Sequence, residues 1–235
     1  MITLLLAAGP ETQEESLPQF LTPVGTTTVL GRITSQVLRN PNDAVLVATN
    51  AATVTRWNLD HVIERIAPNV EVVRVNSRTM GATCTALLAI DRIPKSEELL
   101  ILAADEFMTV EYDKVLATFR SATCDAGVVT FTSWHPRFSY VDLVDGYVVR
   151  AAEKDPISDY ATAGFYWYRE AKTFFDGAFD MIRKKDCVNS GYYICPVFNQ
   201  NILCGKKILS YEIRPDQYIP LKTLGDMISL AKSEQ

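Results

Sequence analysis

The stretch Met1-Ile-Thr-Leu-Leu-Leu-Ala-Ala-Gly9 decides the fold and opens the chain. An apolar run that ends in small residues is typical of a buried parallel strand, whose carboxyl end delivers a loop to a phosphate group. Gly9 allows the backbone to turn sharply and to approach a ligand closely, because a Cβ at that position would clash. We therefore predict a buried first strand followed by a ligand-binding loop.

The residues that follow Gly9 depart from a phosphate-binding loop. The run Pro10-Glu-Thr-Gln-Glu-Glu-Ser16 contains three carboxylates, no further glycine and no basic residue. Carboxylates repel phosphate groups, and no lysine or arginine offsets them here. Two interpretations stay open: the loop no longer holds a triphosphate, or it holds one by other means.

Strands and helices alternate through the first half of the chain. Further buried strands are predicted at residues 44–48, 70–75 and 98–104. Helices with one apolar face are predicted at residues 28–38, 54–66, 81–93 and 112–121. Four β-α units in succession predict a Rossmann-like α/β fold, with a mostly parallel mixed sheet and helices on both faces.

The second half of the chain changes character. Its predicted strands cover residues 127–133, 161–168 and 207–213, and a hairpin at 140–152 turns at Asp145-Gly146. Its predicted helices cover residues 170–185 and 223–232. The first of them has an inward apolar face made of Phe174, Phe175, Ala178, Phe179, Met181 and Ile182. We predict one domain over residues 1–235, with a parallel half at 1–125 and a mixed half at 126–235.

Composition and charge exclude several classes of protein. The 235 residues carry a formal net charge of −5, which does not attract nucleic acid. Five cysteines without CxxC spacing and two histidines argue against a structural zinc site. No apolar run is long enough to span a bilayer, and the opening strand lacks the features of a signal peptide. We therefore expect a cytoplasmic protein with free thiols and no membrane or nucleic-acid partner.

Three features fall at the carboxyl ends of predicted strands, where parallel α/β sheets bind ligands. They are the loop after Gly9, the helix start Arg78-Thr-Met-Gly-Ala-Thr-Cys-Thr85, and Asp105. Backbone N–H groups at the helix start suit an anion or a base edge, and the carboxylate suits a divalent cation. Each feature alone is more often a turn, a packing contact or a cap. Their joint occurrence in chain order favours a nucleotide site.

Several motifs resemble, in chain order, those of the sugar-phosphate nucleotidyltransferases, a family that includes the glucose-1-phosphate thymidylyltransferases. In the first half they are Leu5-Leu-Ala-Ala-Gly9, Leu17-Pro-Gln-Phe-Leu21, Val24-Gly25, Gly81-Ala-Thr-Cys-Thr-Ala-Leu-Leu-Ala89 and Ala104-Asp105. In the second half they are Glu153-Lys154, Gly164-Phe-Tyr-Trp-Tyr168, Val188-Asn-Ser-Gly-Tyr-Tyr-Ile-Cys-Pro-Val-Phe-Asn199 and Leu221-Lys-Thr-Leu-Gly-Asp-Met227. The resemblance covers nearly the whole chain and implies a glycosyltransferase-A-like nucleotide-binding fold.

The resemblance implies that the chain transfers a nucleoside monophosphate from an NTP to a sugar phosphate or a related phosphate. Pyrophosphate is released, and the product serves nucleotide-sugar or surface polysaccharide synthesis. An acceptor phosphate oxygen attacks the α-phosphorus in line, so the chemistry needs no covalent nucleophile. Residues 1–125 become the nucleotide-binding half and residues 126–235 the acceptor-binding half. The oligomeric state stays open, with a homo-oligomer among the alternatives.

The resemblance also implies roles for individual residues. The catalytic residues are Asp105, which would hold Mg²⁺, and Lys154, which would bind the acceptor phosphate. The residues that would contact the nucleotide are Ala8, Gly9, Asn76, Gly81 and Ala82. The residues that would contact the acceptor are Glu153 and Gly164, and the aromatic segment at residues 134–140 adds Tyr140 as a further candidate. A second metal ligand is expected at Asp216 or Asp226.

The chain departs from the family pattern in the cations near its first loop. The family's Gly-x-Gly-x-Arg loop corresponds to Gly9-Pro-Glu-Thr-Gln13, and its Pro-Lys-Pro-Leu corresponds to Pro18-Gln-Phe-Leu21. The family's Asn-Gly-Glu-Phe-Tyr stretch corresponds to Asn189-Ser-Gly-Tyr-Tyr193, which lacks the carboxylate. Losing one stabilising donor costs roughly 3 kcal/mol in the transition state. By sequence position, Arg32, Arg78 and Lys154 are candidates to compensate, and the alternative for the two arginines is solvated surface charge.

Three functions are compatible with these motifs. We prefer a working nucleotidyltransferase with an altered loop. The main alternative is a catalytically weakened relative that binds a nucleotide, a nucleotide-sugar or a partner enzyme as a regulatory or scaffold subunit. A glycosyltransferase with a nucleotide-sugar donor ranks last, because Asp105-Glu-Phe107 lacks its Asp-x-Asp metal motif. The segment Trp134-His-Pro-Arg-Phe-Ser-Tyr140 either clamps a sugar or packs as an aromatic cluster.

Overall fold

One nine-stranded sheet organises the computed structural model, which describes residues 1–9, 17–66 and 69–221. The strands are β1 (Ile2–Ala7), β2 (Pro23–Val24), β3 (Thr27–Thr28), β4 (Ala44–Asn50), β5 (Val70–Val75), β6 (Leu99–Ala103), β7 (Glu106–Met108), β8 (Ala126–Thr132), β9 (Ser139–Val144), β10 (Tyr147–Glu153), β11 (Tyr160–Tyr168), β12 (Ile208–Ile213) and β13 (Tyr218–Pro220). The α-helices are α1 (Val29–Val37), α2 (Ala51–Trp57), α3 (Leu59–Ile66), α4 (Ala82–Leu87), α5 (Tyr112–Ser121), α6 (Ala171–Arg183) and α7 (Val197–Leu203). Short 3₁₀ helices lie at Gln19–Leu21, Ile90–Arg92 and Pro215–Gln217.

The strand order of the main sheet is β5-β4-β1-β6-β11-β8-β12-β10-β9. β5, β4, β1 and β6 are parallel neighbours. β11 runs antiparallel to both β6 and β8, whereas β8 is parallel to β12. β10 runs antiparallel to β12 and β9. The predicted α/β fold with a mostly parallel mixed sheet is confirmed, since parallel neighbours need crossover connections and helices supply them here.

Apolar side chains cover both faces of the sheet, because successive strand residues point in opposite directions. In β1, Leu5 belongs to the core cluster that contains the apolar faces of α1 and α5. Leu4 belongs to the cluster on the other face, with α4, α6 and α7. Trp167 and Tyr168 of β11 divide between the two faces in the same way. The predicted helical layers on both faces are therefore confirmed.

Some local predictions are confirmed and others are wrong. The hairpin turn is confirmed, because Asp145 and Gly146 have φ of 51° and 80°, as tight two-residue turns require. The helix predicted at residues 54–66 is instead the pair α2 and α3, because Asn58 between them adopts a left-handed φ of 48°. The helix predicted at residues 81–93 is shorter and ends as a 3₁₀ turn. In α6, Phe179 is 44% exposed and does not face inward.

Two short strands that the sequence did not predict form a separate sheet. β7 and β13 run antiparallel, with Pro220 opposite Glu106 and Tyr218 opposite Met108. Strands of three residues are too short for their alternation of apolar and polar residues to be recognised. This sheet brings the end of the described chain next to the turn that contains Asp105.

Several predictions concern the chain as a whole. β8 begins at Ala126, and the main sheet continues across the predicted division at residues 125 and 126; the single domain and its two halves stay predictions. The helix predicted at residues 223–232, and Asp226 within it, lie outside the described residues. The five cysteines are free thiols. None of the helices in the described ranges has the length and apolar character that crossing a bilayer requires.

Candidate active site

The carboxyl ends of four parallel strands meet at one edge of the sheet. β1 ends next to β4, where Ala7 is paired with Thr49, and β4 ends next to β5, where Asn50 is paired with Val75. Ala8, Gly9, Asn76 and Asp105 therefore lie on this edge, because they follow β1, β5 and β6 directly. Gly9 does not adopt a left-handed φ, and a Cβ there would meet no other described atom within 4 Å.

An open cleft of about 490 Å³ lies beyond the ends of β4 and β5. Its lining residues are Asn50, Ala51, Ala52, Arg56, Val75, Asn76, Ser77 and Arg78. Asn76 thus shares a cleft with two guanidinium groups. Arg78 therefore lies beside Asn76 in this cleft, whereas Arg32 lies on α1 and does not line it.

Gly81 joins the two halves of the chain at the start of α4. Its φ of +109° is a conformation that residues with a Cβ rarely adopt, and a Cβ would lie 2.7 Å from the backbone nitrogen of Tyr192. The N–H of Thr83 donates to the Tyr192 carbonyl at 3.0 Å, and the Tyr192 N–H donates to the Met80 carbonyl at 2.7 Å. The segment before α7 is therefore bound to the start of α4, where Ala82 is the first residue.

Asp105 lies in the turn between β6 and β7. Its carbonyl accepts a hydrogen bond from the Leu221 N–H at 2.8 Å, and the Leu221 carbonyl accepts one from Gln19 Nε2 at 3.2 Å. Gln19, which replaces the family's lysine, is therefore linked through Leu221 to Asp105, the predicted metal ligand. Residues 10–16, which would carry the other loop cation, lie outside the described residues.

The structure does not bring Asp216 to Asp105. Leu221 is the residue bonded to Asp105, whereas Asp216 lies five positions earlier, in the 3₁₀ helix Pro215–Gln217 that precedes β13. Asp216 forms an ion pair with Arg214 at 3.0 Å, and its side chain is 70% exposed. This ion pair lowers the pKa of the Asp216 carboxyl. No cluster of three metal-ligating side chains occurs in the described part of the chain.

Glu153 and Lys154 follow one another at the end of β10 but face different surroundings. Glu153 is buried, and its carboxylate accepts a hydrogen bond from the Ser139 hydroxyl across the β9–β10 pair. Lys154 has a φ of 56°, and its ammonium group lies 3.4 Å from the Tyr193 hydroxyl and 5.2 Å from the centre of that ring. Lys154 thus reaches the segment that is bound to the start of α4.

The structure does not place Tyr140 where an acceptor could touch its side chain. Tyr140 is fully buried, and its hydroxyl donates to the His135 carbonyl at 2.8 Å. Its neighbour Phe138 packs edge-on against Phe131 and Tyr218. The aromatic-cluster interpretation of residues 134–140 is therefore correct for Phe138 and Tyr140. Trp134 differs, because it is 66% exposed.

The surface over Gly164 is occupied by a residue that sequence reasoning missed. Gly164 lies in β11 with a φ of +63°, and a Cβ there would lie 3.1 Å from the Glu106 Cδ and closer still to its Oε2. Tyr218 lies nearby, and burial together with the Glu106 and Asp105 carboxylates raises the pKa of its phenol. Glu106 directly follows the recognised Asp105, but nothing in the sequence showed that its side chain would turn towards Gly164.

No protein-family model matches the sequence, and no curated protein matches it. Solved structures do match. A nucleoside-diphosphate-sugar pyrophosphorylase from Vibrio cholerae RC9 has a TM-score of 0.78 at 14% identity, covering 99% of this chain and 100% of that chain. The chain has the fold of the sugar-phosphate nucleotidyltransferases.

Two further structures share this nucleotidyltransferase fold. A Bacillus anthracis protein described as a glucose-1-phosphate thymidylyltransferase, in complex with a sucrose, has a TM-score of 0.75 at 16% identity; the match covers 100% of this chain and 95% of that one. A UDP-glucose pyrophosphorylase in complex with UDP-glucose has a TM-score of 0.75 at 14% identity, with 99% and 97% covered. These matches confirm the resemblance at the level of the fold.

Proposed function

We propose that the chain transfers a nucleoside monophosphate from an NTP to a sugar phosphate or a related phosphate, releasing pyrophosphate. The observation that carries this proposal is that residues from both halves of the chain come together on a nucleotidyltransferase fold. Gly9, Asn76 and Asp105 share one sheet edge. Lys154 contacts Tyr193, whose neighbour Tyr192 is bound to the start of α4 at the same edge.

The proposed chemistry is an in-line displacement at the α-phosphorus. An oxygen of the acceptor phosphate forms the new P–O bond, while the bond from the α-phosphorus to the bridging oxygen of the β-phosphate breaks. The electron pair of that bond leaves with pyrophosphate. Because a phosphate acceptor is already ionised at neutral pH, no general base is needed, and positioning and positive charge supply the catalysis.

Different residues bind the two substrates. We assign Asn76, Gly81 and Ala82 to the base, and the backbone of Ala8 and Gly9 to the rest of the nucleotide. Lys154 holds the acceptor phosphate, since it supplies a positive charge within the half assigned to the acceptor, 3.4 Å from the Tyr193 hydroxyl.

Asp105 is the residue that would hold Mg²⁺. When bound, the ion offsets the negative charge of the phosphates. Magnesium is usually held by one or two carboxylates together with the substrate phosphates, so the Asp105 carboxylate at the sheet edge fits it.

The proposed setting follows from the substrates. We propose that the product serves nucleotide-sugar or surface polysaccharide synthesis, and that the reaction takes place in the cytoplasm, where NTPs are made. A homo-oligomer is part of the same proposal.

Incubation of the protein with Mg²⁺, each NTP and a panel of sugar 1-phosphates tests the proposal. Pyrophosphate release is expected for at least one pair of nucleotide and acceptor, and a coupled phosphate assay measures it. Folded protein that releases no pyrophosphate with any pair would contradict the proposed activity.

One observation favours a second candidate function, a binding or scaffold subunit that keeps the fold without turnover. The loop at residues 10–16 has no cation, and Gln19 presents an uncharged amide to the Leu221 carbonyl beside Asp105. Such a subunit would bind a nucleotide, a nucleotide-sugar or a partner enzyme. For such a subunit, we expect a thermal-shift titration to show ligand binding and an activity assay to show no pyrophosphate release.

Restoring the family's cations separates these two functions. For the double variant Gln13→Arg and Gln19→Lys, we expect pyrophosphate release to rise at least about tenfold, because each added donor contributes roughly 3 kcal/mol when well placed. Leu203→Lys, at a 73% exposed position on α7, is the control for added charge and should change nothing. A scaffold subunit predicts a wild-type rate near zero, so rapid wild-type turnover excludes it.

Lys154→Met tests the cation assigned to the acceptor. The variant keeps the length of the side chain but removes its charge, so we expect the KM for the acceptor phosphate to rise about tenfold, with the affinity for the NTP unchanged. Initial rates over a range of acceptor concentrations measure the effect. The control is Lys206→Met, because Lys206 pairs with Asp125 at the opposite edge of the sheet at 2.8 Å. An unchanged KM in Lys154→Met would contradict the assignment.

A further inference from the structure

The cleft at the ends of β4 and β5 presents mainly hydrogen-bond donors. Its polar side chains belong to two arginines, two asparagines and a serine, and its apolar side chains are Ala51, Ala52 and Val75. An arginine only donates, whereas an asparagine amide and a serine hydroxyl both donate and accept. None of the described residues that line the cleft carries a carboxylate. A ligand that fits the cleft therefore has to present acceptor atoms.

The Arg78 guanidinium is open to a ligand in this cleft. Arg78 is exposed, and within the described part of the chain its guanidinium forms no ion pair or hydrogen bond. Arg56, the other arginine in the cleft, has an interaction of its own. A guanidinium group is a planar fork of donors that pairs with two acceptor atoms side by side. Arg78 can therefore bind a ligand edge that has two neighbouring acceptors.

The backbone of Arg78 is anchored on both sides. On one side, Val75 is buried at the end of β5 and paired with Asn50 of β4. On the other side, the Thr79 hydroxyl lies 2.7 Å from the hydroxyl of Thr85 on α4. Arg78 lies between these two contacts, which are only four positions apart in the chain. Its side chain therefore starts from a fixed place beside the cleft.

The cleft lies at a distance from Asp105 that a nucleotide can span. β5, β4, β1 and β6 are successive neighbours, so the ends of β5 and β6 are three strand spacings, roughly 14 Å, apart. Ala8 and Gly9 at the end of β1 lie between them. In the proposed function the phosphates lie at Asp105, and the base at the other end of an extended nucleotide then reaches the end of β5. This arrangement assigns Arg78 to the base and not to the phosphates.

We propose that the nucleotide substrate is a guanine nucleotide, with its base in this cleft and the Arg78 guanidinium donating to guanine O6 and N7. This inference rests on the proposed transferase function and names the base of its nucleotide. Guanine presents O6 and N7 as neighbouring acceptors, and arginine is the side chain that most often pairs with them. Adenine presents an amino donor in place of O6, and that donor would face the donors of Arg78.

The asparagine in the same cleft does not by itself select a purine. An asparagine amide both donates and accepts, and it pairs well with adenine N6 and N7. Next to Arg78, however, Asn76 has to bind another part of the base, because the guanidinium already occupies the edge with two acceptors. Pyrimidines have no N7 and offer no such edge. Arg78 is therefore the residue that decides between the bases.

A titration with unreactive analogues tests the base preference without turnover. The probes are the α,β-methylene analogues of GTP, ATP and UTP, each with Mg²⁺, and isothermal titration calorimetry measures their Kd. We expect wild type to bind the GTP analogue about tenfold more tightly than the other two. In Arg78→Gln this preference should be lost, and the ATP analogue should bind at least as tightly as the GTP analogue, because a glutamine amide pairs with adenine.

Arg65→Gln is the matched control. Arg65 is an exposed residue in the last turn of α3, before β5 begins, and it does not line the cleft. Its substitution removes the same charge and should keep the guanine preference. Equal binding of the three analogues to wild type, tighter binding of the ATP or UTP analogue, or no binding would overturn the inference. Uniform weakening of all three analogues in Arg78→Gln would place Arg78 at the phosphates and would also overturn it.

Activity measurements distinguish this inference from the proposed function. Pyrophosphate release with ATP or UTP but not with GTP would overturn the guanine assignment and leave the transferase proposal standing. A guanine preference that depends on Arg78, without any pyrophosphate release, would contradict the transferase activity and support the assignment of Arg78. If thermal unfolding shows that Arg78→Gln does not fold, Arg78→Ala carries the comparison and should lose the preference as well.

Discussion

Gly81→Ala is expected to lower the free energy of unfolding by about 4 kcal/mol, which corresponds to a fall in Tm of about 10 °C. Two terms add at this position. The φ of +109° is a conformation that residues other than glycine rarely adopt, at a cost of about 1–3 kcal/mol. A Cβ would also lie 2.7 Å from the Tyr192 nitrogen and closer still to its carbonyl oxygen, and backbone atoms cannot rotate away. Urea unfolding followed by circular dichroism measures the loss.

A matched variant separates the two terms for Gly81. Gly205 has a φ of +74°, but a Cβ there would meet no atom of the described residues within 4 Å, so Gly205→Ala is expected to lose only about 1 kcal/mol. A similar loss in both variants would contradict a close contact between the start of α4 and Tyr192. That contact joins the two halves of the chain. We therefore also expect Gly81→Ala to weaken nucleotide binding at temperatures at which the variant is still folded.

Asp105→Asn is expected to lower Mg²⁺-dependent pyrophosphate release by at least about 100-fold, if the proposed transfer is the reaction. Asparagine keeps the shape of the side chain but removes the charge that would hold the cation. Asp105 also contributes its backbone carbonyl to the bond with Leu221, and that bond is unchanged by the substitution. Steady-state rates at saturating NTP, together with nucleotide binding measured in EDTA, separate loss of the metal from loss of the fold.

Asp216→Asn is the control that the structure supplies for Asp105→Asn. The family resemblance implied Asp105 as a metal ligand and Asp216 or Asp226 as a second one, whereas the structure places Asp216 in an exposed ion pair with Arg214. We therefore expect the Asp216 variant to keep the wild-type rate and the wild-type dependence on Mg²⁺ concentration. A large loss in Asp216→Asn, or full activity in Asp105→Asn, would reverse these assignments.

Most residues of the candidate site that sequence reasoning identified lie at the ends of predictable elements. Asn76 and Asp105 follow β5 and β6, and their position follows from the parallel order of those strands. Tyr140 was assigned from its position in the aromatic segment 134–140, and its side chain is buried because core clusters cover both faces of β9 there, with Tyr140 in one cluster and Val141 in the other. A motif identifies a position in the chain, whereas the direction of a side chain depends on the packing around it.

The sequence by itself determined the α/β fold, because long apolar strands alternating with amphipathic helices are compatible with few architectures. It also determined that the first loop lacks its cations, since composition needs no coordinates. Only the tertiary structure decided that Glu106 covers Gly164, that Lys154 reaches Tyr193 and that Asp216 lies apart from Asp105. These are contacts between residues far apart in the chain. They arise from short strands and turns whose local sequence is compatible with several conformations, so only packing selects among them.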